Sequence, residues 1–340
     1  APIETPTADN YFTYGVATLA TGSTLAAVVG TTTFGDSAEI FFSKDAGCSW
    51  QPSGQVLPNV YYYLSAELVA AGARAYVWST NNESVHVIEP TGIARPFSFE
   101  SFAPWVSGPY GFGVDHDNPA RIRVSMYDCA QRASCGHGAI IMETTNEGET
   151  WSPIGVPAPY IALNMRFSPT NLDHVVAPFG AGAGHVTFDG GNQWLAGQGV
   201  PTGWYAADAA IGPDDQTVWL LVDSGTSGSA SNPSAIYVSY DGGLNYQEAF
   251  VADDTNPFAA TTPIDEPLHG TRLFPHPSNA DVVYVAYTAG AEDTSYLYRY
   301  DAELQQLVKR QWPAGEGGVW ALAFNPADAE LLYLGLSAAE

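Results

Sequence analysis

The carboxylates of the longest predicted loops are the side chains that could do chemistry in this chain. Two carboxylates about 5–10 Å apart can act as acid and base, or as acid and nucleophile, in glycoside hydrolysis. A serine nucleophile has no support, because no G-x-S-x-G string is present. Sequence spacing does not show whether any pair of carboxylates converges, so solvated surface charge is the default interpretation, followed by a calcium site. The loop carboxylates are Asp128, Asp223, Asp253, Asp254, Asp265, Glu266, Glu292 and Asp293.

A second set of acid and amide side chains recurs within an eight-residue turn. Each copy has Ser or Thr first, Asp or Asn third, Gly fifth and an aromatic residue eighth: SKDAGCSW (43–50), TTNEGETW (144–151), TFDGGNQW (187–194) and SYDGGLNY (239–246). The third side chain can accept hydrogen bonds from turn amides, and Gly permits a positive φ. These residues are therefore predicted to be structural and not catalytic: Asp45, Asn146, Asp189 and Asp241.

Arginine and histidine are scarce enough for single positions to be informative. Arg166 and Arg272 fall on predicted inner strands, where a buried guanidinium needs a carboxylate partner or an anion. Glu67 and Asp208, also on predicted inner strands, can supply that partner, and structural salt bridges are the favoured interpretation. Three histidines near the short turns are predicted to be solvated: His116, His174 and His276.

The repeated turn implies a repeated supersecondary unit. A second recurring turn combines Pro with Asn or Asp before an apolar run, as in NPARIRV (118–124). Together the two turns predict seven units in a single domain, 1–340. The units start near residues 12, 60, 105, 159, 203, 268 and 318.

The four eight-residue strings resemble the Asp-box, or BNR, repeat of sialidase-like and related β-propellers. This resemblance implies an all-β fold, a seven-bladed β-propeller in which each Asp-box closes the hairpin between the third and fourth strands of a blade. The last unit has two recognisable strands, so it is either incomplete or completed by the N-terminal segment 10–13. Six blades or an incompletely closed ring are the alternatives.

Loop lengths distinguish the two faces of the predicted propeller. Both recurring turns are short and lie on one face, whereas the second-to-third connections and the crossovers lie on the other. The long loops all fall on that second face: 126–138, 223–234, 287–295, 99–109 and 251–268. Variable loops on a rigid scaffold commonly carry binding sites, so the loop-rich face is the predicted binding face.

An aromatic residue or a histidine stands near the start of each predicted inner strand, at the channel mouth of the loop-rich face. Inward-pointing rings would form a stacking surface for a sugar or another flat ligand. The alternative is that the rings fill gaps between adjacent blades. The residues are Tyr14, Tyr62, Tyr110, Tyr160, Trp204, Tyr205, His269 and Trp320.

The cysteines favour an exported protein. Cys129 and Cys135 bracket a short loop and are predicted to form a disulfide, with a metal site that includes His137 as the alternative. Cys48, inside the first repeated turn, is predicted to be a buried thiol. The chain begins Ala1-Pro2, as a mature chain would after removal of a signal segment, which predicts secretion or display at the cell surface.

The charge balance argues against two classes of partner. With 36 acidic and 11 basic residues, the formal net charge is −25, which disfavours nucleic acid and anionic membrane surfaces. No window of 18 apolar residues is present, so no membrane span is predicted. No cofactor is expected, although a structural calcium ion stays open as an alternative.

The family resemblance is specific for architecture and not for activity. Sialidases of this fold use an arginine that precedes the first Asp-box, whereas the first arginine here, Arg74, follows it. Xyloglucan-cleaving relatives use two propellers in tandem, and photosystem assembly factors use a basic patch that this acidic chain lacks. The resemblance is to secreted bacterial Asp-box propellers of unassigned role, which implies a binding or scaffold module for a glycan, small ligand or protein. A glycoside hydrolase or lyase and a structural interaction module of a larger surface protein are the alternatives.

Overall fold

The computed structural model describes most of the chain, with gaps at several connections. The described residues are 12–19, 22–30, 37–58, 67–71, 74–79, 82–98, 109–127, 139–158, 165–178, 182–223, 234–252, 270–288, 296–312 and 316–338. Every regular element among them is a β-strand, so the fold is all-β. No helix in these ranges is long and apolar enough to cross a membrane.

The strands follow one another in antiparallel groups of four. Sheet one contains β1 (Phe12–Leu19), β2 (Thr24–Gly30), β3 (Ser37–Ser43) and β4 (Gln51–Pro58). Sheet two contains β5 (Glu67–Ala71), β6 (Arg74–Ser79), β7 (Asn82–Glu89) and β8 (Gly92–Ser98). Sheet three contains β9 (Pro109–Val114), β10 (Ile122–Tyr127), β11 (Ala139–Thr144) and β12 (Ser152–Ile154).

The second half of the chain repeats this arrangement. Sheet four contains β13 (Arg166–Phe167), β14 (Val175–Ala177), β15 (His185–Thr187) and β16 (Leu195–Ala196). Sheet five contains β17 (Tyr205–Ile211), β18 (Val218–Asp223), β19 (Ser234–Ser239) and β20 (Tyr246–Val251). Sheet six contains β21 (Gly270–Pro275), β22 (Val282–Thr288), β23 (Tyr296–Asp301) and β24 (Gln306–Arg310). A last hairpin follows, β25 (Glu316–Asn325) and β26 (Asp328–Ala338).

The sheets are arranged as a ring, which makes the fold a β-propeller. First strands of successive sheets contact one another from β1 to β5, β9, β13, β17 and β21. The last hairpin lies between the two ends of this series, because β25 contacts β22 of sheet six and β1 of sheet one. Phe12 of β1 also pairs with Ser337 of β26, so sheet one and the last hairpin form a six-stranded sheet.

Apolar side chains from facing sheets make the cores between them. Trp219, Leu221 and Ile236 of sheet five pack with Val283 and Val285 of sheet six, and all five are fully buried. Equivalent clusters lie between each earlier pair of adjacent sheets and between sheet six and the last hairpin. Full burial of one such side chain contributes about 1.5–3 kcal/mol, so the ring is held mainly through its sheet interfaces.

Both recurring turns occupy the places that the sequence predicts. Each eight-residue turn joins the third and fourth strands of its sheet, and the Pro-containing turns join first and second strands. The two turn types contact each other: the Gly190 amide donates to Asp173 O in sheet four, and the Gly242 amide donates to Gln216 O in sheet five. They therefore lie on one face of the ring, which we call the short-turn face. The opposite face is the loop-rich face.

Candidate functional site

The loop-rich face is the predicted binding face, and much of it lies outside the described residues. Tyr62, Tyr160 and His269 lie outside them, as do all the loop carboxylates except Asp223. Asp223 ends β18 and is half-buried. Tyr110 lies in β9, but its side chain is not described. The ring of aromatic residues at the channel mouth therefore stays a prediction. Four of the side chains predicted for it lie within the described residues.

Three of these four rings pack against the protein. Tyr14 is buried, and its ring meets that of Trp320 edge to face, with the centroids 6.3 Å apart. Burial raises the pKa of Tyr14. This pair lies where β1 and β25 meet. Trp204 is half-buried and contacts Tyr237 edge to face at 6.4 Å. These contacts are of the kind expected for rings that fill gaps in the core, which is the structural alternative.

Tyr205 differs from the other three rings because it is exposed. It opens β17 on the loop-rich face, and 44% of its surface is accessible. Its backbone is fixed by a bridge to Gly182 of the neighbouring sheet. An exposed phenol ring on a fixed backbone can stack or donate a hydrogen bond to a bound molecule.

The predicted channel charges form a salt bridge. Arg166 Nε and Nη2 both donate to Asp208 Oδ1, at 3.0 and 2.8 Å. The Asp208 side chain is 1% exposed, and it also accepts the amides of Ala209 and Leu273, each at 2.9 Å. One carboxylate thus joins β13, β17 and β21, the first strands of three consecutive sheets. A buried carboxylate with four donors is fully engaged in structure.

The other two predicted channel charges are less completely described. Arg272, in β21, is half-buried. Glu67 opens β5, but its side chain is not described. A pairing of either residue therefore stays a prediction.

The four repeated turns share one hydrogen-bond pattern. The first-position hydroxyl accepts the fifth-position amide and donates to the third-position side chain, which in turn accepts the seventh-position amide. In the turn of sheet one, Gly47 N to Ser43 Oγ is 2.8 Å, Ser43 Oγ to Asp45 Oδ1 is 2.8 Å, and Ser49 N to Asp45 Oδ1 is 2.9 Å. The other third-position residues do the same: Asn146, Asp189 and Asp241.

These turns use their acids as hydrogen-bond acceptors. Hydrogen bonds from Ser49 to Asp45 and from Gln193 to Asp189 hold the pKa of each carboxyl below its usual range. Burial opposes the same effect at Asp241, where hydrogen bonds from Asn245 and Ser239 lower the pKa. Asn146 fills the position equally well, so the turn requires an acceptor oxygen and no charge. This arrangement offers no acid–base pair.

Two histidines are buried, so the prediction that they are solvated is wrong. The ring nitrogens of His174 contact Asp215 Oδ1 at 2.7 Å and Gly242 O at 2.9 Å, and the residue is 0% exposed. His276 is 3% exposed, and its Nδ1 accepts the Ser278 and Asn279 amides. Their partners close the short turns of the same or the next sheet, which sequence spacing does not show. His116 is exposed, as predicted.

The cysteine predictions have different outcomes. Cys48 is exposed and not disulfide-bonded, so its prediction as a buried thiol is wrong. Its position is the sixth of the turn, which points away from the core, whereas the eighth-position ring points inward. Cys129 and Cys135 lie outside the described residues, and their disulfide stays a prediction. Within the described ranges, no group of three or more His, Cys, Asp or Glu side chains is placed to hold a metal ion.

An ion-pair network that was not predicted from the sequence lies on the short-turn face. Arg121 and Arg123 of sheet three both donate to Glu143 Oε2, at 2.9 and 2.7 Å. Both also donate to Asp173 Oδ1 of sheet four, at 3.1 and 2.5 Å. Arg123 is 3% exposed, whereas Asp173 is partly open to solvent, so the network joins two sheets through one buried guanidinium and its half-buried or exposed partners. The available signal was the alternate spacing of Arg121, directly before β10, and Arg123 within it, since alternate residues of an extended chain share a face.

Comparison with known proteins places the chain beside one curated relative. No family model matches the sequence. The chain is 29% identical over 345 residues to the Dispase autolysis-inducing protein of Streptomyces mobaraensis, an alignment that covers 96% of this chain and 80% of the relative. That protein is a distant homologue of this chain.

Solved structures agree with the propeller fold. An ancestral GH74 enzyme has a TM-score of 0.62 at 11% identity, covering 100% of this chain and 46% of the enzyme, so the chain spans about half the length of that enzyme. Kuenenia stuttgartiensis hydrazine synthase has a TM-score of 0.61 at 14% identity, covering 98% and 95% of the two chains. Identities this low show a shared fold and carry no activity across.

Proposed function

We propose that this chain is an exported β-propeller that binds a partner protein through its loop-rich face, and that the partner is a protease. The observation that carries the proposal is the similarity to the Dispase autolysis-inducing protein along 96% of the chain. The name of that relative describes a protein that induces a second protein, dispase, to cleave itself. A propeller gives such a protein a rigid frame from which loops contact the partner.

The geometry of the described residues supports binding over catalysis. The acids of the repeated turns and the Asp208 carboxylate are engaged in structural hydrogen bonds. Tyr205, exposed at the start of an inner strand, is a suitable contact residue for a protein surface, since tyrosine combines an apolar ring with a hydrogen-bonding hydroxyl. The likeness to a GH74 enzyme supports the fold and does not favour a glycosidase.

The proposal includes a seven-bladed ring at the cell surface or outside the cell. The hairpin of β25 and β26 counts as the seventh blade in this reading, joined to sheet one through Phe12 and Ser337. The net charge of −25 is consistent with a soluble exported protein, and a Cys129–Cys135 disulfide would fit an oxidising environment.

Incubation with dispase tests the proposed function. Dispase is mixed with an equimolar amount of this chain or of serum albumin, and intact dispase is followed by gel electrophoresis over time. We expect the chain to shorten the half-life of intact dispase by about 10-fold, equivalent to lowering the activation free energy of autolysis by about 1.4 kcal/mol. Co-elution of the two proteins in size-exclusion chromatography is the matching binding measurement.

Two variants locate the contact. Tyr205→Thr is expected to weaken binding to dispase at least about fivefold, because loss of a contact tyrosine costs about 1 kcal/mol or more. Tyr240→Thr is the matched control, since Tyr240 is 48% exposed on the short-turn face and Tyr205 is 44% exposed on the loop-rich face. An unchanged dispase half-life with no co-elution would rule out dispase as a partner. Equal changes in the dispase half-life for the two variants would contradict the proposal that dispase binds the loop-rich face.

A further inference from the structure

The second position of the repeated turn allows four equivalent surface sites to be compared. Lys44 and Thr145 fill it in sheets one and three, and both are exposed. Phe188 and Tyr240 fill it in sheets four and five, where 41% and 48% of their surfaces are accessible. Because lysine and threonine serve in two copies, the turn itself does not require an aromatic ring at this position. The two rings therefore need a different explanation.

The two aromatic residues lie next to each other across a sheet boundary. Phe188 stacks on the buried ring of His174, with centroids 4.9 Å apart and planes 25° from parallel. Its far edge lies against the next turn, since a Cβ on Gly242 would be 2.6 Å from Phe188 Cε1. Gly242 belongs to the same turn as Tyr240. The apolar surface thus continues from sheet four to sheet five.

The same surface extends towards sheet six. Burial, followed by the nearby Asp281 carboxylate, raises the pKa of Tyr240, and Asp281 lies in the first turn of sheet six. The other turn of sheet six carries Leu304, which is 65% exposed. We name Phe188, Tyr240 and Leu304 the apolar arc. Single exposed apolar residues are ordinary on protein surfaces, and it is their placement on three consecutive turns of one face that makes the arc a candidate interaction surface.

Acidic groups surround the apolar arc. Asp189 and Glu303 share turns with members of the arc, whereas Asp214, Asp215 and Asp281 lie in the first turns of sheets five and six, and all five are exposed or half-buried. Arg299, in the same turn as Leu304, is paired with Asp301 at 3.0 Å. A partner at this surface must therefore bring both apolar and positively charged groups. A second copy of this chain carries the same net charge of −25, so electrostatic repulsion disfavours self-association here.

We propose that the apolar arc is a second docking surface, which binds a basic segment of another protein with interspersed apolar side chains. Apolar side chains of that segment cover Phe188, Tyr240 and Leu304, and its lysines or arginines face the flanking carboxylates. This surface lies on the short-turn face, opposite the loop-rich face, so it is independent of the proposed protease partner. A propeller with two such faces can hold two partners at once.

Calorimetry with a synthetic peptide tests this docking surface. The probe is a twelve-residue peptide that alternates Lys and Phe, titrated into the whole chain at about 0.15 M salt. We expect binding that weakens at least about 10-fold in the Phe188→Thr, Tyr240→Thr double variant, because burial of the two rings is lost. Tyr205→Thr is the matched control, with a similarly exposed tyrosine removed from the opposite face, and it should change the affinity less than about twofold.

Companion peptides separate the two parts of the recognition. Alternating Glu and Phe should fail to bind, because its charges are repelled, and alternating Lys and Ser should bind at least about 10-fold more weakly than the Lys–Phe probe. Since Phe188 packs on a buried histidine, the Tyr240→Thr, Leu304→Thr variant provides a second test that leaves that contact intact. This variant is also expected to bind the Lys–Phe peptide more weakly than the wild-type chain does.

Three outcomes would overturn the docking proposal. One is unchanged affinity of the Lys–Phe peptide in both double variants, and another is an equal loss in Tyr205→Thr. The third is a sedimentation experiment in which the wild-type chain dimerises and the Phe188→Thr, Tyr240→Thr variant does not, since that result would make a second copy the occupant. None of these results bears on dispase, so failure here is distinguishable from failure of the proposed function.

Discussion

The short turns of sheets five and six lie side by side and are held by different chemistry. In sheet five, Ser239 Oγ accepts the Gly243 amide and Asp241 Oδ1 accepts the Asn245 amide. In sheet six the equivalent residues are Arg299 and Asp301, which form an ion pair of 3.0 Å. Both turns still donate their fourth-position amide to the first turn of their own sheet. The contact with the first turn is thus maintained, although the hairpins close differently, since Ser239 pairs with Tyr246 in sheet five and Asp301 pairs with Gln306 in sheet six.

The first turns of the same two sheets differ in a similar way. In sheet five, Asp214 Oδ1 accepts the amides of Gln216 and Thr217, at 3.2 and 2.9 Å. In sheet six, His276 Nδ1 accepts the amides two and three residues later, at 3.3 and 3.1 Å. Sheet five closes both turns with oxygen acceptors, whereas sheet six combines the Arg299–Asp301 ion pair and an amide donated to Asp301 Oδ1 with an imidazole nitrogen. Of these two sheets, sheet six is therefore the one whose turns depend more on charge state.

Substitution at the fifth turn position is expected to have the largest effect on the free energy of unfolding. Gly243 has a φ of 100° and is buried, and a Cβ there would lie 3.0 Å from Tyr246 Oη. Gly243→Ala should lower the free energy of unfolding by about 2 kcal/mol, because this backbone conformation is strained for any residue with a side chain. Glu303 stands at the same position in sheet six, is exposed and does not have a positive φ. Glu303→Ala should change stability by less than about 0.5 kcal/mol in urea denaturation.

Similar losses in these two variants would mean that the fifth position carries no special backbone requirement in sheet five. The difference between the two turns would then lie in their side chains alone.

Loss of charge at the third turn position should lower the free energy of unfolding in sheet six and have little effect on it in sheet five. Asp241→Asn keeps an acceptor oxygen, as Asn146 does in sheet three, and should cost less than about 0.5 kcal/mol. Asp301→Asn breaks the pair with Arg299, in which the two side chains are only 17% and 11% exposed, and should cost about 1 kcal/mol. Thermal unfolding at low and high salt measures both, and added salt should narrow the difference. A larger loss at Asp241 would contradict the comparison.

The sequence predicts the repeated features of the fold because their contacts are local. Ser43 and Asp45 bond within one turn, so the spacing of residue types is sufficient to assign them. His174 was misplaced because its contact, Asp215, lies in the next sheet, 41 positions away. The Arg123–Asp173 pair was not predicted for the same reason. Its two residues lie far apart in the sequence and are brought together by the packing of neighbouring sheets in the ring. The loop-rich face, where binding is proposed, depends on such distant contacts throughout.

Two buried tyrosines extend the comparison to neutral side chains. Tyr300 Oη in sheet six donates to Ala249 O at 2.8 Å, whereas among the described residues Tyr246 Oη in sheet five has no hydrogen-bond partner. Burial raises the pKa of Tyr246. Tyr300→Phe should lower the free energy of unfolding by about 1 kcal/mol, and Tyr246→Phe should leave it unchanged or raise it by up to about 1 kcal/mol. Urea denaturation measures both, and destabilisation by Tyr246→Phe would indicate a partner for that hydroxyl.

The smallest expected effect is the contribution of His276, in sheet six, to the pH dependence of the free energy of unfolding. Burial lowers the pKa of His276, Arg299 lowers it further, and Glu330 opposes the shift at 3.5 Å from Nε2. The neutral ring is the form that can accept two amides at Nδ1. The stabilisation that the neutral His276 ring provides is fully present above the pKa of an unfolded histidine, about 6.5. It declines as the pH falls below that value, because the unfolded chain then binds the proton more readily than the folded chain does.

His276→Asn isolates this contribution. Asparagine can accept the same amides, as Asn325 does for Ala327 in the last hairpin, and it does not titrate in this range. Burial also lowers the pKa of His86 and His185, so the wild-type chain should lose stability below about pH 6.5 from several sites. The variant should lose less between pH 7 and 5, as measured by thermal unfolding across that range. Parallel curves for the two proteins would show that the turn of sheet six is as indifferent to protonation as that of sheet five.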